Sequence, residues 1–373
     1  MIFRTKKKNL LLTSAMFGSL IFAACTEQSE DQGVTSESEV STMAIHISEM
    51  DMESIRLVSE EDHNRLVVMK YMEALSTSLR EEVEAELMAP GYEVIRPEFA
   101  NMDYHADGSQ LGDMADPMDV AIANRRDSVD TFIAQDDMVV IRYRISGTHA
   151  GNFYGIPATG TDIDILAGAI FWLDGGKIIK SWWMADEAGF LRQVGQPLPA
   201  RADGRWEAWP HVLPVRTGND LMEEFLANPE DSQEYLNKLQ LTAWKAPAYR
   251  DQVLHEDQSQ RTGLRSGFFH IVNAAPPEMV RQYPFSGAFP DRVDQIATLI
   301  ADGKRAVILF RLTATNSNSL VGIPAQDRQV AAYEFGYQEF DGEVWKFNMW
   351  FGDDLGLLLQ LGGSQDHWFQ NED

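Results

Sequence analysis

The sequence predicts an α+β protein: two tandem cone-shaped barrels, each with helices packed on a curved antiparallel sheet. Three observations lead there. First, one module occurs twice. A shift of 167 positions lays Gly155-Ile156-Pro157-Ala158 on Gly322-Ile323-Pro324-Ala325, Asp174-Gly175 on Asp341-Gly342, Trp183 on Trp350 and Asp186 on Asp353. It also lays Gly189, Gln193 and Gly195 on Gly356, Gln360 and Gly362, so that 14 of the 54 positions from Arg142 to Gly195 are identical. Unrelated segments would share about 3. Second, in each copy apolar residues at helical spacing precede alternating strands, the order of an α+β domain. Third, 373 residues with 44% apolar and 10% aromatic content can fill two cores. A curved sheet covered by helices on one face leaves a cone-shaped cavity between the layers.

The chain opens with Arg4, Lys6, Lys7 and Lys8, then an apolar run from Leu10 to Phe22 ending in Ala23-Ala24. This is the layout of a secretory signal, too short for a membrane span of about 20 residues. Leu20-Ile21-Phe22-Ala23-Ala24-Cys25 resembles a bacterial lipobox, although Phe22 stands where leucine is commoner. The resemblance implies a signal peptide at 1–24, acylation of Cys25 and attachment to the membrane through it. Thr26 after the cysteine points to the outer membrane of a Gram-negative cell envelope. The competing reading is an ordinary signal peptide with an incidental cysteine nearby. With Cys25 the single cysteine, no intrachain disulfide can form. Residues 25–45, rich in Ser, Glu and Gln, read as a flexible tether.

The first domain is expected over 46–199. Ile55, Val58, Leu66, Met69, Met72, Leu75, Leu79, Val83 and Leu87 mark two or three helices ending at Pro90-Gly91. Residues 97–117 read as loop, and Met118 to Ala134 as another short helix. Strands follow at 138–146, 162–173 and 177–184, with Asp174-Gly175-Gly176 as a hairpin turn. Residues 200–230, within a proline-rich stretch, read as a linker. The second domain, 231–373, repeats the order: helices at 232–245 and 292–300, then strands at 305–315, 328–340 and 343–351. Ala89-Pro90-Gly91-Tyr92 matches Ala246-Pro247-Ala248-Tyr249 at an offset of 157.

A formal charge of −26 without a basic cluster beyond the amino terminus excludes nucleic acid as a partner. No His-x-x-x-His or cysteine-rich metal pattern, phosphate loop or Gly-x-Ser-x-Gly elbow is present. The sequence implies no metal and no cofactor. The acidic run Asp103, Asp107, Asp113, Asp116 and Asp119 lacks calcium-loop spacing and reads as a solvated loop.

Gly147-Thr148-His149-Ala150-Gly151, Gly155-Ile156-Pro157-Ala158-Thr159-Gly160, Asp174-Gly175-Gly176-Lys177-Ile178 and Trp182 to Gly195 together resemble the SnoaL-like polyketide cyclase family, of the nuclear transport factor 2-like superfamily. The resemblance covers roughly 45–195 and, more weakly, 231–363. It implies cyclase or isomerase-type acid–base chemistry on a small carbonyl compound or ester. Asp186, and by the repeat Asp353, match the family's acid–base aspartate, which suits a carboxylate whose pKa is raised by an apolar pocket. The other reading of Asp186 is the N-cap of the turn that follows it. His149 matches the family's Gly-Thr-His stretch and either lines the pocket, polarising a carbonyl, or is a turn histidine held by backbone groups. Asn316 replaces it in the second module. Ile95 and Gln252 stand where the family often carries a histidine, a departure that weakens an acid–base pair. Trp182, Trp183 and Trp350 are expected at the pocket wall or in the core. Two further readings remain open: non-catalytic binding of an apolar small molecule, and an interaction or scaffolding role in the envelope. The two modules are expected to pack as family dimers do, an intrachain pseudo-dimer.

Overall fold

The computed structural model describes residues 59–75, 77–95, 117–153, 156–195, 213–250, 287–320 and 324–361. These all fall in one compact unit, His46–Asp373. Cys25, the tether, the 97–116 loop and its acidic residues up to Asp116 lie outside the described residues.

Helices α1 (Glu60–Ala74) and α2 (Arg80–Leu87) come first, followed by β1 (Met88–Ile95), α3 (Pro117–Ala121) and four strands. The strands are β2 (Ile122–Gln135), β3 (Met138–His149), β4 (Asp162–Asp174) and β5 (Lys177–Ala185), and α4 (Glu187–Gln193) closes the module. The sheet order is β1-β5-β4-β3-β2. All its pairs are antiparallel except β1 with β5, which is parallel. Ser59 starts α1 by accepting the Asp62 N–H on its hydroxyl at 3.1 Å. Gly175 and Gly176 adopt positive φ (56° and 77°) in the β4–β5 turn, as a two-residue hairpin requires.

The second sheet has the order β10-β9-β8-β7-β6, from β6 (Arg216–Thr217), β7 (Val293–Asp302), β8 (Arg305–Thr315), β9 (Gln329–Asp341) and β10 (Val344–Gly352). Helices α5 (Gly218–Ala227) and α6 (Gln233–Trp244) precede β7, and α7 (Asp354–Gln360) follows β10.

Four expectations about elements need correction. The segment 122–134 is strand β2, not helix. Its outer half carries charges that mask the alternation, while Phe132, Ile133 and Ala134 anchor the inner half. Residues 292–300 likewise form strand β7: Val293, Ile296, Thr298 and Ile300 are β-branched and fit a pleated surface better than a helix. Pro90-Gly91 does not follow a helix end directly but lies inside β1, an edge strand, where a missing ladder N–H is tolerated. Within the stretch read as linker, 218–227 is helix α5, capped by Thr217 and held to α6 where the Tyr235 hydroxyl donates to the Phe225 carbonyl at 2.6 Å.

The Ala-Pro-x-Tyr match is also misleading. Ser59 and Ser232 cap α1 and α6, and Asn64 and Asn237 donate to the carbonyls of Asp136 and Gly303 at the matching β-turns. These pairs set α1 against α6 at an offset of 173, whereas Ala89 lies in β1 and Ala246 just past α6.

Each sheet has two buried faces. One packs under the helices. The opposite faces meet in a second core containing Ile133, Val140, Ile170, Trp182 and Met184 from the first sheet and Val307, Leu309, Tyr333, Phe335 and Phe351 from the second. Trp182 meets Tyr333 edge-on with centroids 6.0 Å apart. At Gly168 the sheets come so close that a Cβ would sit 3.0 Å from the rings of Phe335 and Phe351. Around this core Arg65 pairs with Asp302 at 2.9 Å, and Ala301 donates its N–H to the Gln135 side chain at 3.1 Å.

Candidate functional site

The helix-facing side of the first sheet carries an aromatic cluster. Tyr71 from α1 contacts Phe171 and Trp183 edge-on, at 5.9 and 6.2 Å between centroids. Trp183 in turn meets Phe171 at 5.2 Å and Tyr143 at 6.2 Å, both near perpendicular. Its indole N–H donates to the Ser181 hydroxyl at 2.7 Å. Edge-to-face rings of this kind form a largely apolar wall. Trp183 and Trp350 occupy this side of their sheets, against the helix-facing core. Trp182, expected at the same wall, lies on the other face in the core between the sheets, because adjacent strand residues point to opposite sides.

Asp186 sits at the end of β5, 4% exposed, as the N-cap of α4. Its Oδ1 accepts the Gly189 N–H at 2.8 Å, while its own N–H donates to the Leu166 carbonyl at 2.9 Å. Asp353 reproduces the arrangement: Oδ1 accepts the Gly356 N–H at 2.9 Å, and its N–H donates to the Tyr333 carbonyl at 3.0 Å. The repeated glycines have a steric reason. A Cβ on Gly189 would lie 2.2 Å from Asp186 Oδ2, and one on Gly356 2.2 Å from Asp353 Oδ2. The repeated glutamines complete the pattern. Gln193 bridges the backbone N–H and carbonyl of Asp164 at 2.8 and 3.0 Å, and Gln360 does the same to Ala331 at 2.9 Å each. Asp, Gly and Gln thus cap a short helix and dock it on the neighbouring strand, identically in both copies.

His149 is fully buried at the end of β3, edge-on to Phe190 at 5.2 Å, with Nδ1 3.0 Å from the Thr159 hydroxyl. Among the described residues Nε2 has no hydrogen-bond partner. Burial lowers the pKa below the ordinary histidine value, against a backbone contact to Gly151 that raises it. Asn316 makes comparable bonds in the second module: its amide donates to the Asn318 carbonyl at 2.8 Å and accepts from the Gln326 N–H at 2.9 Å.

Sequence reasoning missed a group in the second cone. Lys245 Nζ is 2.7 Å from Asp294, which also binds Arg292, and Glu334 lies 3.4 Å from that guanidinium. Comparing the copies residue by residue would have found it, because the repeat puts Glu334 opposite Ala167.

Residues 68–194 match the family model described as SnoaL-like polyketide cyclase. Among solved structures, the chain is similar to a putative SnoaL-like polyketide cyclase from Jannaschia sp. CCS1, at 19% identity over 37% of this chain and 94% of that one, with a TM-score of 0.32. It is similar to IdmH, a putative polyketide cyclase from Streptomyces antibioticus, at 22% identity over 35% and 96%, TM-score 0.29. An NTF2-like protein of unknown function from Burkholderia pseudomallei gives 15% identity over 35% and 96%, TM-score 0.27. No curated protein matches. Over residues 68–194, therefore, the first module is similar to the SnoaL-like polyketide cyclase family.

Proposed function

We propose that the first module binds an apolar, flat small molecule against the Tyr71, Tyr143, Phe171 and Trp183 wall, and that Asp186 holds the fold without serving as an acid–base. The observation that carries this reading is the identical use of Asp186 and Asp353 as N-caps, each seated on a glycine N–H. A carboxylate seated on a backbone N–H at the start of a helix has a structural duty, and the repeat keeps that duty in both modules. The ring wall offers the mostly apolar lining that small-molecule sites favour.

The test is a titration with 1,8-dihydroxyanthraquinone, a planar apolar probe, followed by tryptophan fluorescence and calorimetry. Trp183→Leu and Tyr143→Leu should each weaken binding, and Asp186→Asn should not. Loss of binding in folded Asp186→Asn, or conversion of a carbonyl substrate that this variant abolishes, would instead support acid–base chemistry in a cyclase.

The second sheet is read as a second module of the same family, and the pair as a pseudo-dimer. The buried core between the sheet faces supports this, and it occupies the surfaces a scaffolding role would use. The chain should then be monomeric in solution; a dimer formed through the sheet faces would contradict the reading. Anchoring is a further part of the proposal: Cys25 carries lipid and tethers the modules to the envelope, in the outer membrane. Among the described residues no helix is long and apolar enough to cross a membrane. Labelled palmitate should be incorporated by the wild type and not by Cys25→Ala, and the label should fractionate with the outer membrane.

A further inference from the structure

The two cones share a frame but not a lining. Strand register sets Asp127 opposite Ile145 and Asp294 opposite Leu312, Tyr143 opposite Ala167 and Phe310 opposite Glu334. Both cones keep an Arg–Asp fork: Arg125 binds both oxygens of Asp127 at 2.9 and 3.0 Å, and Arg292 binds both of Asp294 at 2.7 and 3.1 Å. Both keep a tryptophan, Trp183 or Trp350. Three positions differ. The offset of 173 between α1 and α6 puts Lys245 where the first cone has Met72, and register puts Glu334 at Ala167 and Phe310 at Tyr143.

The second cone therefore adds a buried amine and a buried carboxylate to a frame that forms without them. Lys245 Nζ lies 3.4 Å from the Phe310 ring centre and 5.4 Å from that of Trp350, with its side chain 5% exposed. Burial lowers the Lys245 pKa to about 8, against the pull of Asp294. Burial would raise the Asp294 pKa, but Lys245 and Arg292 hold it below the ordinary carboxylate value. Taking such charges out of water is costly, and an apolar pair of similar volume does as well or better for stability. In the first cone Met72 and Ala167 stand at these places with apolar side chains.

We propose that the second cone is a separate site for a small aldehyde or ketone, which Lys245 captures as an imine. The balance is simple. The neutral amine adds to the carbonyl carbon, forming the C–N bond. The proton released from nitrogen passes through Asp294 to the former carbonyl oxygen. The carbinolamine then loses that oxygen as water, with Glu334 and Asp294 moving the protons, and no oxidant or reductant is consumed. Phe310 and Trp350 hold the carbon part of the ligand beside the amine. The groups facing Lys245 are Asp294 from β7, Arg292 at its start and Glu334 from β9, so its titration reports all four.

The experiment is reductive trapping on the full-length protein, using benzaldehyde as probe and cyanoborohydride as the added reductant, across pH 6–9, with peptide mapping of the adduct. Benzylation should concentrate on Lys245 and proceed at least about tenfold faster than at any other lysine at pH 8, because more of this amine is unprotonated there. Its rate should level off near pH 8. Lys245→Met, which installs the first cone's residue, should fold and lose the adduct. Glu334→Gln should keep the fold and slow adduct formation. An adduct pattern spread over exposed lysines, with Lys245 unmodified in the folded wild type, overturns the proposal and leaves Lys245 as a structural ion pair. That result needs no variant to fold.

Discussion

Replacing Gly189 by alanine is the sharpest probe of why Asp-x-x-Gly recurs. The backbone there does not need glycine, since Gly189 is absent from the positive-φ positions among the described residues. In a helix alanine is favoured over glycine by about 1 kcal/mol, so on propensity alone Gly189→Ala would stabilise. The structure sets a stronger effect against it. The new Cβ would fall 2.2 Å from Asp186 Oδ2 and 2.7 Å from its Cγ, so the carboxylate must leave. Losing the cap costs about 1 kcal/mol, and crowding a buried site costs about 1–3 kcal/mol more. The net expectation is a destabilisation of roughly 1–3 kcal/mol. In the background of Asp186→Ala the clash is gone, and Gly189→Ala should then stabilise, by up to about 1 kcal/mol. Urea unfolding followed by circular dichroism and tryptophan fluorescence measures both arms of the cycle. An alanine effect of the same sign in both backgrounds refutes the steric explanation. Gly356→Ala with Asp353→Ala should repeat the reversal, as its Cβ would also fall 2.2 Å from a carboxylate oxygen.

Gln360→Ala should cost about 2–4 kcal/mol, because it leaves the buried backbone groups of Ala331 unpaired, whereas Gln193→Ala at the more exposed equivalent should cost about 1 kcal/mol; denaturation midpoints compare them. His149 has its pKa lowered from 6.5 by burial, so the unfolded chain takes up a proton first and stability is lost as pH falls below 6.5. His149→Asn, which borrows the residue of the second module, should flatten that acid-side loss, and an unchanged slope would contradict it. Lys245, lowered from 10.5 to about 8, leaves the folded chain with fewer protons than the unfolded one between those values. The stability of wild type relative to Lys245→Met should therefore rise with pH across that window, by up to about 3 kcal/mol; a fall would reverse the assignment.

The repeat was legible in the sequence because glycine, aspartate and glutamine at fixed spacing mark geometry that tolerates little change. The same residues drew attention as chemistry, since an aspartate after a tryptophan can serve a cap or a proton transfer, and spacing alone does not separate the two. Strands β2 and β7 were hidden for a different reason. Their outer halves carry Arg125 and Asp127, or Asp294 and Gln295, at positions where a wholly apolar alternation would have declared a strand. The charged lining of the second cone was missed because its members are brought together only by folding: Lys245 ends a helix, Asp294 opens one strand and Glu334 lies within another. The separation of Trp182 from Trp183 follows from strand parity once the strand is fixed, and that parity was available.

The most direct test of the central claim is to compare Asp186→Asn with Asp186→Ala. Asparagine keeps an oxygen for the Gly189 N–H and removes the carboxylate's charge and basicity. Asp186→Asn is expected to unfold close to the wild-type midpoint and to bind the anthraquinone probe unchanged, while Asp186→Ala loses about 1 kcal/mol of stability. A folded Asp186→Asn that has lost binding, or turnover on a carbonyl substrate that the wild type converts, would show that the carboxylate acts on a ligand and contradict the capping role.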